Sequence, residues 1–274
     1  GRLVGALRGR FDRRLTVIQA GAGFGKSTLL SQALHENRLE QHGTDVLVRV
    51  LESDQDPDQF VAGFAEALGL VDPAPTVDQV CDAVWAKAPA SVALVVDDSH
   101  RLGTSEPAWE VLRCLIDRLP SNGHLVVSGR RAPRLPVARL LSQDQALVVG
   151  EDELGFTDAE LAEVGQLRGI PATLVAELPR WPALATLTGV VGQRASFDYL
   201  WDEVLRALPA GRQRLLAAAA LFGQIDDELV TALRATLPGY MIPVAFLPWD
   251  GPSGLKPDRQ ALAQIASSRR SRLG

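Results

Sequence analysis

An α/β domain whose parallel sheet is buried on both faces, followed by a mainly helical region, is the architecture this sequence predicts. Three observations carry the prediction. Short apolar, β-rich runs alternate with helical patterns over the first half of the chain. A glycine-rich stretch separates the first run from the first helix, and from Gly155 onward no strand-rich segment recurs. Continuous apolar strands alternating with helices mark a parallel sheet covered on both sides.

Composition sets the bounds. The 274 residues suffice for one large domain or two ordinary ones. At 46% hydrophobic and 22% charged the chain is compositionally an ordinary globular protein. A net charge of -5 gives no electrostatic reason to expect nucleic-acid binding, and the basic stretch SRRSR (268–272) reads as a solvated terminus. Cys81 and Cys114 make no disulfide framework; both read as buried small hydrophobes, consistent with a reducing cytoplasm. No apolar run approaches the ~18 residues needed to span a bilayer. GRLVGALRGRFDRRL at the N-terminus lacks a signal-peptide core and reads as a helix entering a domain.

In chain order the strand candidates are LTVI (15–18), VLVRV (46–50), VALVV (92–96), HLVVS (124–128) and ALVV (146–149). Helix candidates lie near 27–40, 58–68, 77–87, 106–118 and 135–142. FTDAE then offers Thr157 as N-cap with Glu160 three residues on, a capping box opening a helix. Helical patterns continue to about Thr236, after which Pro238, Pro243, Pro248, Pro252 and Pro257 forbid a long helix before Asp258. The expected domains are residues 1–153, 154–236 and 237–274.

Between the first strand and helix, Ala20-Gly21-Ala22-Gly23-Phe24-Gly25-Lys26-Ser27 fits a phosphate-binding loop, with alanine at the position most often glycine. Glycines let consecutive backbone N–H groups turn inward around phosphate oxygens, and the helix adds its N-terminal dipole. Lys26 would reach the β- and γ-phosphates, and the Ser27 hydroxyl would coordinate Mg²⁺, with Thr28 completing the binding stretch. A glycine-rich turn that merely packs strand on helix is the bland alternative.

The strand SVALVV ends in Asp97 and Asp98. Asp97 can hold Mg²⁺ and Asp98 can act as general base toward an attacking water. Two aspartates also suit a solvated strand-to-loop turn. HLVVSGRR ends beside Arg130 and Arg131; Arg130 is the candidate γ-phosphate sensor and Arg131 reads as solvated. His100 reads as a loop residue, and the dispersed tryptophans as core or interface anchors.

The elements in this order, QAGAGFGKSTLLSQAL, VLESDQDPDQFVAGFAEAL, LVVDDSHRL, LVVSGRRAPRLPVARL, ELGFTDAEL and RWPALATL, resemble the ATPase module of the signal-transduction ATPases with numerous domains. That group includes the large LuxR-type, maltose-regulator-like activators and is related to AAA+ and NACHT proteins. The resemblance covers roughly residues 2–234. It implies a P-loop NTPase sheet in the order 5-1-4-3-2, a helical lid, and a winged-helix-like segment around 197–234. It also implies ATP/ADP and Mg²⁺ as ligands, self-association in the ATP state, and Pro182 near the nucleotide. Gly21 stands where the family usually has proline, and Arg180 where it has the glycine before Trp-Pro.

The tail LPGYMIPVAF…LKPDRQAL (237–262) resembles the carboxyl-terminal signature of nonribosomal peptide synthetase adenylation domains, with Lys256 matching that family's lysine. The expected function is an ATP-binding, slowly hydrolysing switch module of a signalling or transcriptional regulator, with an unidentified inducer and no direct DNA binding. The alternatives are a non-hydrolysing nucleotide scaffold and an accessory or fusion fragment of a peptide synthetase.

Overall fold

The computed structural model describes residues 1–175, 178, 180–191 and 206. The expected winged-helix-like segment and the tail with Lys256 lie outside the described residues. The chain divides into two compact units, Gly1–Leu161 with Arg180–Ala183, and Ala162–Pro179 with Leu184–Gly274.

Five strands form one wholly parallel sheet: β1 (Leu15–Gln19), β2 (Thr44–Arg49), β3 (Val92–Asp97), β4 (Gly123–Gly129) and β5 (Ala146–Val149). Their order is β2-β3-β4-β1-β5, the order the resemblance implies, read from the opposite edge. The central strands β3 and β4 are buried at every residue, which is why they read as unbroken apolar runs. β2, at one edge, alternates instead: Val46 and Val48 are buried while Leu47 and Arg49 are exposed. Crossovers from β1 to β2 and from β4 to β5 in this parallel sheet, with helices on both faces, make a doubly wound α/β domain.

Helices cover both faces. α1 (Arg2–Arg8) and α2 (Lys26–Glu40) pack over Ile18, Val95 and Val126, with Leu7, Leu29, Leu30 and Ala33 fully or nearly buried. On the other face lie α3 (Pro57–Leu68), α4 (Val77–Trp85) and α5 (Glu106–Arg118). They bring Phe60, Phe64, Val84, Trp109 and Leu112 against Val17, Leu94 and Leu125. Each of these three helices starts at a side-chain cap, Asp56, Thr76 or Ser105, which satisfies a first-turn amide. α6 (Val137–Ser142) precedes β5, and α7 (Glu151–Leu154) follows it.

α8 (Asp158–Arg168) opens at the predicted capping box: Thr157 N–H donates to Glu160 Oε2 at 2.9 Å and Glu160 N–H to Thr157 Oγ1 at 3.2 Å. α9 (Ala172–Val175) and α10 (Pro182–Val191) follow. Within the second unit Gly165 approaches Val175 so closely that any side chain there would meet it.

The N-terminal edge of the sheet is fastened by a buried ion pair. Arg10 spans Asp45 with two bonds of 2.9 and 2.7 Å, and Asn37 Nδ2 adds a third donor to the same carboxylate at 2.7 Å. Cys81 is buried as expected, and burial pushes its thiol up to about 11. Cys114 departs from the expectation: it is only partly buried, because it sits at the rim of α5, 3.7 Å from Glu110 Oε1. Trp85 is also exposed, at the last turn of α4, rather than anchoring the core. Among the described residues no helix is long and apolar enough to cross a membrane.

Candidate functional site

The loop Ala20–Gly25 leaves β1 at its carboxyl end and enters α2 at Lys26. Gly23 and Gly25 stand at φ of 77° and 78°, left-handed values that glycine adopts without a steric penalty. Gly25 is the N-cap of α2 and offers no side-chain cap to the first-turn amides. The amino end of a four-turn helix therefore points its N–H groups and dipole out of the loop, the ordinary arrangement of an anion site.

Lys26 is buried at the floor of that loop. Its Nζ donates to the carbonyls of Ala20 and Gly21, both at 2.7 Å. Burial pushes its pKa below the ordinary lysine value and Arg130 adds to the fall, while Asp97, Asp98 and Glu151 oppose it. Two cations, two aspartates and one glutamate thus act electrostatically on one another here. Ser27 and Thr28 are exposed in the first turn of α2.

Asp97 ends β3 and is only 4% exposed. Along β3 it shares with Val95 the sheet face that α2 covers, the face on which Ser27's helix begins. Asp98 follows with φ 61°, a left-handed conformation that aspartate tolerates better than most residues, and its N–H donates to Asp97 Oδ1 at 2.9 Å. The turn leaves Asp98 partly open, 3.8 Å from His100 Nδ1 and 3.9 Å from Arg101 Nε. Burial and then Arg130 push His100 below the ordinary histidine value. At 3.8 Å from Asp98, His100 has geometry for electrostatics and not for a hydrogen bond. Arg130 and Arg131, immediately after β4, are both exposed.

β4 lies between β1 and β3 in the sheet, so the loop, the aspartates and Arg130 all leave the sheet at the carboxyl ends of three neighbouring strands. The loop is tied to this frame by the Ala20 N–H, which donates to the Gly129 carbonyl at 3.3 Å.

Three further residues, Trp181, Ala183 and Glu151, hold the loop through contacts that are not evident in the sequence. Trp181 stacks on Phe24 with ring centroids 5.6 Å apart, and its Nε1 donates to the Ala22 carbonyl at 2.9 Å. Next to Pro182, the Ala183 N–H donates to the Gly23 carbonyl at 3.1 Å. Pro182 is thereby placed one residue from two of the loop's contacts. Glu151 Oε1 accepts from the Gly21 N–H at 2.8 Å. Arg180, in place of glycine, pairs with Asp158 at 2.7 Å and gives its carbonyl to the Phe156 N–H.

The donors fit a nucleotide with its metal. Among the described residues no group of three or more His, Cys, Asp or Glu side chains gathers as a metal cage. A hydroxyl and a carboxylate beside a phosphate loop suit Mg²⁺, which keeps waters and takes part of its shell from the phosphates it accompanies.

Residues 8–131 match the family model of the AAA domain. The chain is 28% identical to the HTH-type transcriptional regulator MalT of Cronobacter sakazakii, over 88% of this chain and 31% of that protein. It is 26% identical to MalT of Serratia proteamaculans, over 85% of this chain and 30% of that one. The chain thus spans about a third of the length of these curated relatives. Among solved structures it is similar to the Orc1 protein of Aeropyrum pernix in complex with DNA, at 14% identity and a TM-score of 0.44, over 98% of this chain and 81% of that one.

Proposed function

We propose that this chain is the ATP-binding, slowly hydrolysing switch module of a signalling or transcriptional regulator, with nucleotide state controlling conformation and self-assembly. The observation that supports it most is the convergence of the glycine-turned loop with its buried Lys26, the Asp97–Asp98 pair and Arg130 at the carboxyl ends of three neighbouring strands. The backbone N–H groups of Ala22 to Thr28 would hold phosphate oxygens, with Gly21 opening the binding stretch. Lys26, which the protein spends on its own Ala20 and Gly21 carbonyls, would turn to the β- and γ-phosphates.

Ser27 and Asp97 would hold Mg²⁺, which when bound neutralises phosphate charge and polarises the γ-phosphoryl group. Asp98, partly open to solvent, would take the proton of the attacking water. Arg130 would report the γ-phosphate. Turnover is slow in this reading, because P-loop switches commonly receive a decisive arginine from a second protein.

A switch also needs contacts that differ between states. The carbonyls of Ala22 and Gly23 are gripped by Trp181 and Ala183, so a loop reshaped around phosphates must alter that grip. Pro182 lies between the two gripping residues and would face the nucleotide. The domain limits 1–153, 154–236 and 237–274 belong to the same reading, as do a cytoplasmic location, an unidentified inducer and no direct DNA contact by this chain. The adenylation-like tail would be a fused or docking segment, with Lys256 outside the switch.

Phosphate release from Mg²⁺·ATP by wild type, Lys26→Ala and Asp98→Asn tests the reading. Release by wild type that drops at least about tenfold in both variants supports a hydrolysing switch. Nucleotide binding with no release would make the chain a non-hydrolysing scaffold. Amino-acid-dependent pyrophosphate exchange would instead favour an adenylation role for the tail.

A further inference from the structure

Glu151 belongs to no nucleotide-binding motif, yet its carboxylate sits on the phosphate loop. It is the first residue of α7, separated from β5 by Gly150 alone. Strands β5 and β1 pair in register through Ile18 and Val149, so the strand that launches the loop and the strand that launches Glu151 end side by side. The junction is itself fixed. The Gly150 N–H donates to Glu153 Oε2 at 2.8 Å, and the Glu153 carbonyl accepts from Arg2 at 2.8 Å.

One loop residue is consequently held from both sides. The Gly21 N–H donates to Glu151 Oε1 at 2.8 Å, and the Gly21 carbonyl accepts from Lys26 Nζ at 2.7 Å. Both are charge-assisted, the stronger class of hydrogen bond. The two charges also attract each other, since Glu151 is among the anions that oppose the fall in the Lys26 pKa.

A carboxylate here can have two opposite effects on a polyphosphate ligand. As an anion it repels phosphate; as an acceptor it fixes the start of the loop. Glu151 is exposed, so its field is screened over about 8 Å at physiological ionic strength, and Lys26 offsets part of it. The hydrogen bond is a contact effect that screening weakens far less. Anchoring therefore outweighs repulsion.

We infer that Glu151 is a positioning residue for nucleoside di- and triphosphate binding, holding Gly21 so that the loop is shaped before the ligand arrives. The inference rests on the reading of this loop as the nucleotide site. It also links the loop to the junction Gly150–Gly155 that leads into α8, beside the separate hold exerted by Trp181.

Titration calorimetry of the 274-residue chain with Mg²⁺·ADP and Mg²⁺·ATP tests it, using wild type, Glu151→Ala and Glu151→Gln. Glu151→Ala should bind about fivefold more weakly, a modest loss because the bond is exposed. Glu151→Gln keeps an oxygen acceptor without the charge and should recover binding to within about twofold of wild type. The melting temperature without nucleotide should be the same in all three, since the side chain supports no core contact. If wild type binds and Glu151→Ala binds equally well or better, the positioning role is wrong. Tighter binding by both variants would make Glu151 an electrostatic guard instead. If wild type binds neither nucleotide, the nucleotide reading falls, and this inference with it.

Discussion

Trp181 lies nearly flat on Phe24, with ring planes 15° from parallel, and reaches past it to hydrogen-bond the Ala22 carbonyl. Phe24 is the one aromatic side chain within the glycine-rich stretch, so the stack joins the loop to the Arg180–Ala183 segment. An aromatic pair contributes about 0.5–1.5 kcal/mol beyond its buried area, and a neutral hydrogen bond about 1 kcal/mol. Trp181→Ala should weaken ADP binding about tenfold, and Trp181→Phe, which keeps the stack, about threefold. Calorimetric affinities for the two variants check this, and equal losses would mean the ring contact contributes nothing.

Asp97 and Asp98 are expected to separate metal binding from proton transfer. Asp97→Asn keeps an acceptor for the Asp98 N–H at 2.9 Å and removes only charge. It should raise the Mg²⁺ concentration needed for half-maximal ATP binding about tenfold, one charge-assisted contact being worth about 1.5–3 kcal/mol. Affinity for metal-free ADP should stay near wild type. Asp98→Asn should leave the Mg²⁺ requirement alone and depress turnover.

The Arg10–Asp45 pair is a stability determinant far from the loop. Both side chains are nearly sealed from water, 3% and 7% exposed, and Asn37 shares the carboxylate. Removing one partner strands the other charge, at a cost of about 3–5 kcal/mol. Asp45→Ala should therefore lower the melting temperature by about 10 °C, with nucleotide affinity unchanged in the fraction that remains folded. Thermal melts by circular dichroism read this directly.

Much of this architecture was legible from residues alone. VALVV and HLVVS read as strands because β3 and β4 are buried on both faces, and the observed elements, Val92–Asp97 and Gly123–Gly129, extend them by at most two residues. Sheet order was not legible from periodicity, since a period of two says which face a residue takes and nothing about its neighbours; it came with the resemblance. The candidate α4 was read to 87 and ends at Trp85, where Lys87-Ala88-Pro89 turns the chain. Glu151 could not be read as part of the site, because 130 residues separate it from Gly21 and an acidic residue opening a helix already has a local explanation. Trp181 lies 159 residues from Ala22, and its indole N–H carries no mark of which carbonyl it will find.

Acid should loosen the fold through His124. Its ring is buried on β4, Nδ1 donates to the Arg13 carbonyl at 2.8 Å, and burial holds its pKa below the ordinary 6.5. Below pH 6.5 the unfolded chain takes up a proton that the folded chain resists, so stability is present above that pH and is lost as pH falls through it. His100, depressed by burial and by Arg130, acts in the same direction. Urea unfolding at several pH values between about 5 and 8 should show the decline, and His124→Gln should flatten it.

The central claim is that the loop at 20–27 holds nucleotide phosphates through Lys26. Equilibrium binding of ADP and ATP to wild type and Lys26→Ala, with Mg²⁺ present, tests it most directly. The account predicts that wild type binds both nucleotides and that Lys26→Ala weakens them by about a hundredfold, the loss of a buried charge from a phosphate contact. Wild-type protein that binds neither nucleotide, or a Lys26→Ala variant that binds as tightly as wild type, would contradict it.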